Sequence, residues 1–206
     1  TMFVMTVLLV NPYLQISFST NGFAEATNNS CTPHVVDFSG YSAGDVITSG
    51  DGYTISVDSN GDYDTVMVFD TLNPTGGDDD LTTKDGDRYG PDNNQERGNA
   101  LIISENGKSH NPDDEQEGGI ITIELDEPVT IKSIGFLDIE ESGGTVKAYT
   151  ASDSLLKTAS IQNKGDNSYQ SVALNTEEVS KVVINLIGSG AIPEINFCVP
   201  EEPGYC

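Results

Sequence analysis

The sequence predicts an all-β protein: an antiparallel β-sandwich (jelly roll) with long acidic loops and an extended N-terminal strand. Three observations carry that prediction. Short runs alternate apolar and polar residues with the period of two that places one side of a strand on a core. Between them lie clusters of Asp, Asn and Gly, and the chain holds 21 glycines, the residues that turns require. No stretch shows convincing helical periodicity, and many short strands separated by turns point to a sandwich.

The runs fall at 35–38, 53–58, 64–70, 100–104, 120–125, 129–139, 145–151, 155–161, 169–174, 181–187 and 192–199. Asn60-Gly61, between the second and third runs, is a strong hairpin signal. The same stretch spaces Asp58, Asn60, Asp62 and Asp64 at alternate positions, as in calcium loops. Tyr63, however, occupies the sixth position, where such a loop needs glycine, so the hairpin is the better reading. The connection between Thr71 and Asn99 is longer than the about 12–15 residues usual for a structureless loop, and loops of that length are commonly functional. It carries Asp78, Asp79 and Asp80, then Asp85, Asp87 and Asp92. Their mutual repulsion would be relieved by a divalent cation.

The chain divides at about residue 30, into an arm and linker at 1–30 and a sandwich domain at 31–206. From Thr1 to Ala24 there is no charged side chain. Met2 to Val10 is an apolar stretch about half as long as a membrane-spanning helix needs, so stable membrane insertion is not expected. Leu14, Ile16 and Phe18 then alternate with polar residues, which suits a strand. Two readings of this segment stand side by side. It is a strand given to a neighbouring molecule, or it is a signal peptide with Ala24-Glu25-Ala26 as its cleavage site and a mature chain beginning near Thr27.

Charge narrows the function. Thirty-three acidic residues against nine Lys and Arg give a net charge of −24, which excludes nucleic acid as a partner and favours Ca²⁺, a hard cation that binds oxygen. The candidate metal ligands are Asp78, Asp79 and Asp80 in the long connection, Glu105 after one strand, and Asp138 and Glu140 at the end of another. Asp138 and Glu140 share a strand face because side chains alternate. Enzyme chemistry is poorly supported. His34 and His110 are the only imidazoles, no nucleophile motif appears, and Tyr41, Tyr53, Tyr89 and Tyr149 read as packing residues. Asn28 opens a glycosylation sequon. The cysteines Cys31, Cys198 and Cys206 fit no zinc spacing; Cys31 with Cys198 is the favoured disulfide, with Cys198–Cys206 the alternative.

The segments 98–105 and 136–141, with Asp79-Asp80-Leu81, Val36-Asp37-Phe38 and Gly44, resemble a secreted bacterial β-sandwich module of cell-surface proteins. The resemblance covers 35–199 and implies a calcium-stabilised jelly roll, related in architecture to carbohydrate-binding modules. The N-terminal arm in turn resembles the donor strand of fimbrial subunits. The function expected from the sequence is therefore a non-enzymatic subunit of an extracellular filament. Phe3, Val4, Val7, Leu9, Leu14, Ile16 and Phe18 would insert into an identical neighbouring subunit. Burying those seven side chains gives a gross term of about 10–20 kcal/mol, much of it cancelled by ordering the arm. The alternative is a calcium-dependent carbohydrate-binding or adhesive module with glycan partners, at the cell surface or secreted.

Overall fold

The computed structural model describes residues 31–83, 90–141 and 143–200. Ten strands form it: β1 (Cys31–Val36), β2 (Ser49–Gly50), β3 (Tyr53–Ser59), β4 (Val66–Asp70), β5 (Asn99–Ile103), β6 (Gly119–Leu137), β7 (Gly144–Tyr149), β8 (Leu155–Ile161), β9 (Tyr169–Leu186) and β10 (Ile195–Pro200). Every strand pairing is antiparallel. One short 3₁₀ turn, Asp79–Leu81, is the sole helical element among the described residues. The all-β class that alternation and turn chemistry predict is the class observed.

The large sheet runs β1-β10-β6-β9-β7-β8, with β3 on the first half of β6 and β2 beyond it; β4 and β5 form a second, two-stranded sheet. Four of the sequence-derived strands prove to be two. The runs 120–125 and 129–139 both belong to β6, and 169–174 and 181–187 both belong to β9. These long strands pair at both ends, with register shifts between Glu124 and Ser133. Bulges bend a strand without ending it. Here Asp126-Glu127-Pro128 breaks the apolar pattern on β6, while Asn175 (φ 47°) and Glu178 (φ 58°) take left-handed backbone on β9. The polar interruption that reads as a turn is therefore a corner.

The hairpin expected at Asn60-Gly61 does not form. β3 pairs with β6 and β4 pairs with β5, so the connection crosses from one sheet to the other. Long-range bonds replace the hairpin pairing: Asn60 donates its N–H to Gly118 (3.0 Å) and its side-chain amide to Glu117 (2.7 Å).

Packing on β4–β5 positions the site described below. Val66, Val68, Leu101 and Ile103 face the main core, whereas Met67, Phe69, Ala100 and Ile102 face a second apolar cluster with Leu81, Leu137 and Ala191. Both faces of this pair are buried, which is why its sequence reads as unbroken apolar runs. Leu81 is fully buried and comes from the acidic connection, not from a strand. It pins that connection against β4–β5, with a gross burial term of about 1.5–3 kcal/mol. Ile192 exchanges backbone hydrogen bonds with Leu101 (2.8 and 2.9 Å), and Ala191 does so with Leu137 (3.0 and 2.9 Å), joining the small sheet to the end of β6.

Cys31 and Cys198 form a disulfide between β1 and β10, with Cα atoms 5.5 Å apart. The arm with its seven apolar anchors, the sequon at Asn28, and Asp85, Asp87, Tyr89 and Cys206 lie outside the described residues. No helix of the described residues is long and apolar enough to cross a membrane.

Candidate functional site

Three chain segments converge beside the Leu81 cluster. The first is the connection through Asp80 and Thr82, held by Leu81 between them. The second is Asp138, immediately after β6. The third is the turn Gly165-Asp166-Asn167 that leads into β9. The ladder brings the last two together, because Leu137 pairs with Tyr169 and the Asp138 N–H donates to the Ser168 carbonyl (2.8 Å). Asp138 (φ 59°) and Asn167 (φ 51°) both take left-handed backbone. Asp and Asn enter that region at lower cost than other side chains.

Carboxylate oxygens of Asp80, Asp138 and Asp166 lie within 4.8 Å of one another. Asp138 is fully buried, although a carboxylate in such a position is expected to be paired. Its Oδ1 accepts the Asn167 backbone N–H. Its Oδ2 has no hydrogen-bond partner. Two charged carboxylates at such a separation repel by about 3 kcal/mol at an effective dielectric of 20. Burial pushes Asp138 up to about 8, the carboxylates of Asp80, Glu140 and Asp114 push the same way, and the Asn167 N–H pulls against them. Asp80 is raised by burial and then by Asp114 and Asp166, and Glu140 by burial and then by Glu141, Asp166 and Asp80.

Amides frame the carboxylates. Asn167 Nδ2 donates to the carbonyls of Asp80 and Thr82, and its Oδ1 accepts from Asn93 Nδ2 (2.9 Å). Asn93 also donates to the Thr82 and Asn167 carbonyls (2.9 and 3.0 Å). On the solvent side is an open cavity of about 440 Å³ lined by Asp79, Asp80, Thr82, Glu140, Asp166 and Asn167.

Of the sequence-derived ligands, Asp80 and Asp138 sit in the cluster, while Asp79 and Glu140 line the cavity wall. Asp78 and Glu105 lie apart from it. Asp78 Oδ2 accepts the Asp114 N–H (3.1 Å), and Asp78 is held above the usual carboxylate range by burial and by Asp114. Asp114 Oδ2 in turn is held by Ser189 Oγ (2.6 Å) and the Gly190 N–H (2.9 Å). Glu105 follows β5 into the company of Asp113 and Glu115, which raise it after burial does. Sequence reasoning missed Asp166, Asn167 and Asn93. Gly165-Asp166-Asn167 reads as an ordinary turn, and only the β6–β9 register places it beside Asp138.

The donor set fits calcium. Ca²⁺ takes six to eight oxygens from carboxylates, carbonyls and water in flexible geometry. A buried carboxylate oxygen without a partner, inside a cluster of three acids, is the atom such an ion would satisfy.

No protein-family model matches the chain, and no curated protein matches it. Solved structures do. A fucose binding module of Streptococcus pneumoniae is 17% identical, with 43% of this chain and 69% of that one covered, at a TM-score of 0.30. CpGH89CBM32-6 produced by Clostridium perfringens is 11% identical, with 76% and 100% covered, at a TM-score of 0.36. Discoidin II of Dictyostelium discoideum is 10% identical, with 66% and 56% covered, at 0.35. Likeness at this level carries no argument about ligand. The all-β architecture rests on the chain's own strands.

Proposed function

We propose that this chain is a calcium-dependent carbohydrate-binding module, not an enzyme, acting outside the cell or at its surface. The observation that carries the reading is the Asp138 carboxylate, fully buried among acids with Oδ2 unpartnered. In the reading, Asp80, Asp138 and Asp166 hold the ion, and the ion fixes the acidic connection against the end of β6 and the start of β9. The adjoining cavity offers carboxylates, a hydroxyl and an amide, groups that hydrogen-bond sugar hydroxyls. A chain of net charge −24 repels polyanions, so the ligand is a neutral glycan. The disulfide between β1 and β10 suits an oxidising, extracellular setting. No observation on the described residues favours the filament reading, whose anchors lie outside them.

Calorimetry with Ca²⁺ tests the reading, followed by a glycan array probed in Ca²⁺ and in EDTA. Saturable calcium binding and glycan signals lost in EDTA are the expected results. A chain that takes up no calcium overturns the reading.

A further inference from the structure

We propose a second binding site, a groove of about 260 Å³ at the corner of β6 that takes a small organic ammonium ion with an apolar body. Its lining shares no residue with the cavity beside Asp80 and Asp166, so it stands whether or not that cluster holds calcium.

The groove follows from the strand pairing. β9 runs along one edge of β6 on both sides of the corner, so β3 and β10 share the other edge. There β3 pairs with 119–125 and β10 with 130–134. The stretch 126–129 has no ladder partner on that edge, and the two strands flank the notch it leaves. One bond spans the corner: the Asp126 N–H donates to the Gly52 carbonyl (3.0 Å), which fixes the turn ahead of β3.

The flanking strands bring rings to the notch. His34 on β1 and Phe197 on β10 stack with centroids 5.3 Å apart. Tyr53 opens β3 across the gap, and its ring lies so close to Gly50 that a Cβ there would come within 2.3 Å of it. Ile55, Ile123, Val129 and Ile195 are buried core residues and form the floor. Such a floor offers nothing to hydroxyl groups and accepts hydrocarbon or an aromatic ring. Drug-sized ligands need about 300 Å³ or more, so this groove suits one ring or a short alkyl chain.

Charge sets the rest of the ligand. Asp51, Asp126 and Glu127 line the same groove and are exposed. Its described lining has no Lys or Arg, and the sequences that run out of β1 and β10, 1–30 and 201–206, contain neither. Three carboxylates around an apolar groove are complementary to a positive charge on an apolar body. Rings beside an ammonium add a cation–π contribution. A neutral ligand leaves the carboxylates unused, and an anion is repelled.

Amide NMR on the full chain tests this, with phenethylamine, phenethyl alcohol and phenylacetate as probes that share a ring and differ in charge. The amine should shift the signals of Tyr53, Phe197 and Val199. In low salt it should bind about fivefold more tightly than the alcohol, a margin that closes in about 0.5 M NaCl as screening removes the charge contribution. Phenylacetate should bind most weakly. The double change Asp126→Asn with Glu127→Gln should erase the amine's advantage and leave binding of the alcohol as it was. Val199→Lys sets a cation in the wall and should abolish binding of the amine. Three results would each overturn the proposal: no binding by any probe, equal binding of amine and alcohol, or amine shifts confined to the cluster of Asp80, Asp138 and Asp166.

Discussion

The backbone N–H of Asn167 donates to Asp138 Oδ1, across a ladder that also joins the Asp138 N–H to the Ser168 carbonyl. This fixes one carboxylate oxygen of a fully buried aspartate and leaves the other without a partner beside Asp80 and Asp166. Backbone pairing at the end of the β6–β9 ribbon thus holds Asp138 in place, whereas Asp166 is exposed.

Asp138→Asn separates charge from hydrogen bonding. The amide keeps an oxygen for the Asn167 N–H and removes the buried charge. In EDTA at pH 8 the variant should be at least as stable as the parent, because the repulsion with Asp80 is gone. Its calcium affinity should fall at least tenfold, about 1.4 kcal/mol or more. Calorimetry and urea unfolding of the two proteins check both halves. A variant that binds calcium like the parent would remove Asp138 from the metal site.

Stability should depend on pH in opposite ways with and without the ion. Asp138 is raised to about 8 when folded and titrates near 3.8 when unfolded. Between those values the folded chain holds a proton that the unfolded chain has lost, so stability falls as pH rises. Asp80 and Glu140, also raised, add in the same sense. In EDTA, thermal unfolding should therefore occur at a higher temperature at pH 5 than at pH 8. With millimolar calcium the order should reverse, because the ion requires ionised carboxylates. An EDTA profile that rises from pH 5 to pH 8 would contradict the buried acid cluster.

Leu81 links the core to the site, since it is fully buried in the small cluster while Asp80 and Thr82 flank it. Leu81→Ala should cost about 2–5 kcal/mol in urea unfolding, by lost transfer energy and the cavity left behind. It should also weaken calcium binding, because the segment carrying Asp80 loses its anchor. A stability loss with unchanged affinity would show that Asp80 is held by its hydrogen-bond partners alone.

The strands were legible because alternation is local. Burial on both faces explains why 66–69 and 100–103 read as solid apolar runs, and the start of β9 was visible at Tyr169. The run at 129–139 overshoots, because β6 ends at Leu137 and Asp138 turns into left-handed backbone, so Asp138 and Glu140 do not share a strand face. The corner in β6 was not, because Asp126-Glu127-Pro128 has the composition of a turn. Asn60-Gly61 misled for the same reason: the dipeptide favours a hairpin locally, while pairing with β6 and β5 decides where β3 and β4 go. Half of the acidic site was readable from the carboxylates around Asp80 and Asp138. Asp166 and Asn167 are brought there by a register between strands, which no local spacing encodes.

Arg97 tests whether the start of β9 is held by charge. Its guanidinium lies over the Tyr169 ring, 3.1 Å from the centroid, and Nη1 donates to Glu194 Oε2 at 3.3 Å. The Tyr169 hydroxyl donates to the other Glu194 oxygen at 2.5 Å, and burial together with Glu194 pushes Tyr169 up to about 12. The Arg97 side chain is only 10% exposed, so removing its partner leaves a cation with little access to water. Glu194→Leu should cost about 3 kcal/mol, whereas the double change Arg97→Met with Glu194→Leu should cost less, because it strands no charge. Urea unfolding of the single and double variants measures the difference. Calcium affinity should change little in either, since Asn93, not Arg97, contacts Thr82 and Asn167. Equal losses in the two variants would mean that Arg97 acts through its stacking on Tyr169 and that the ion pair is incidental.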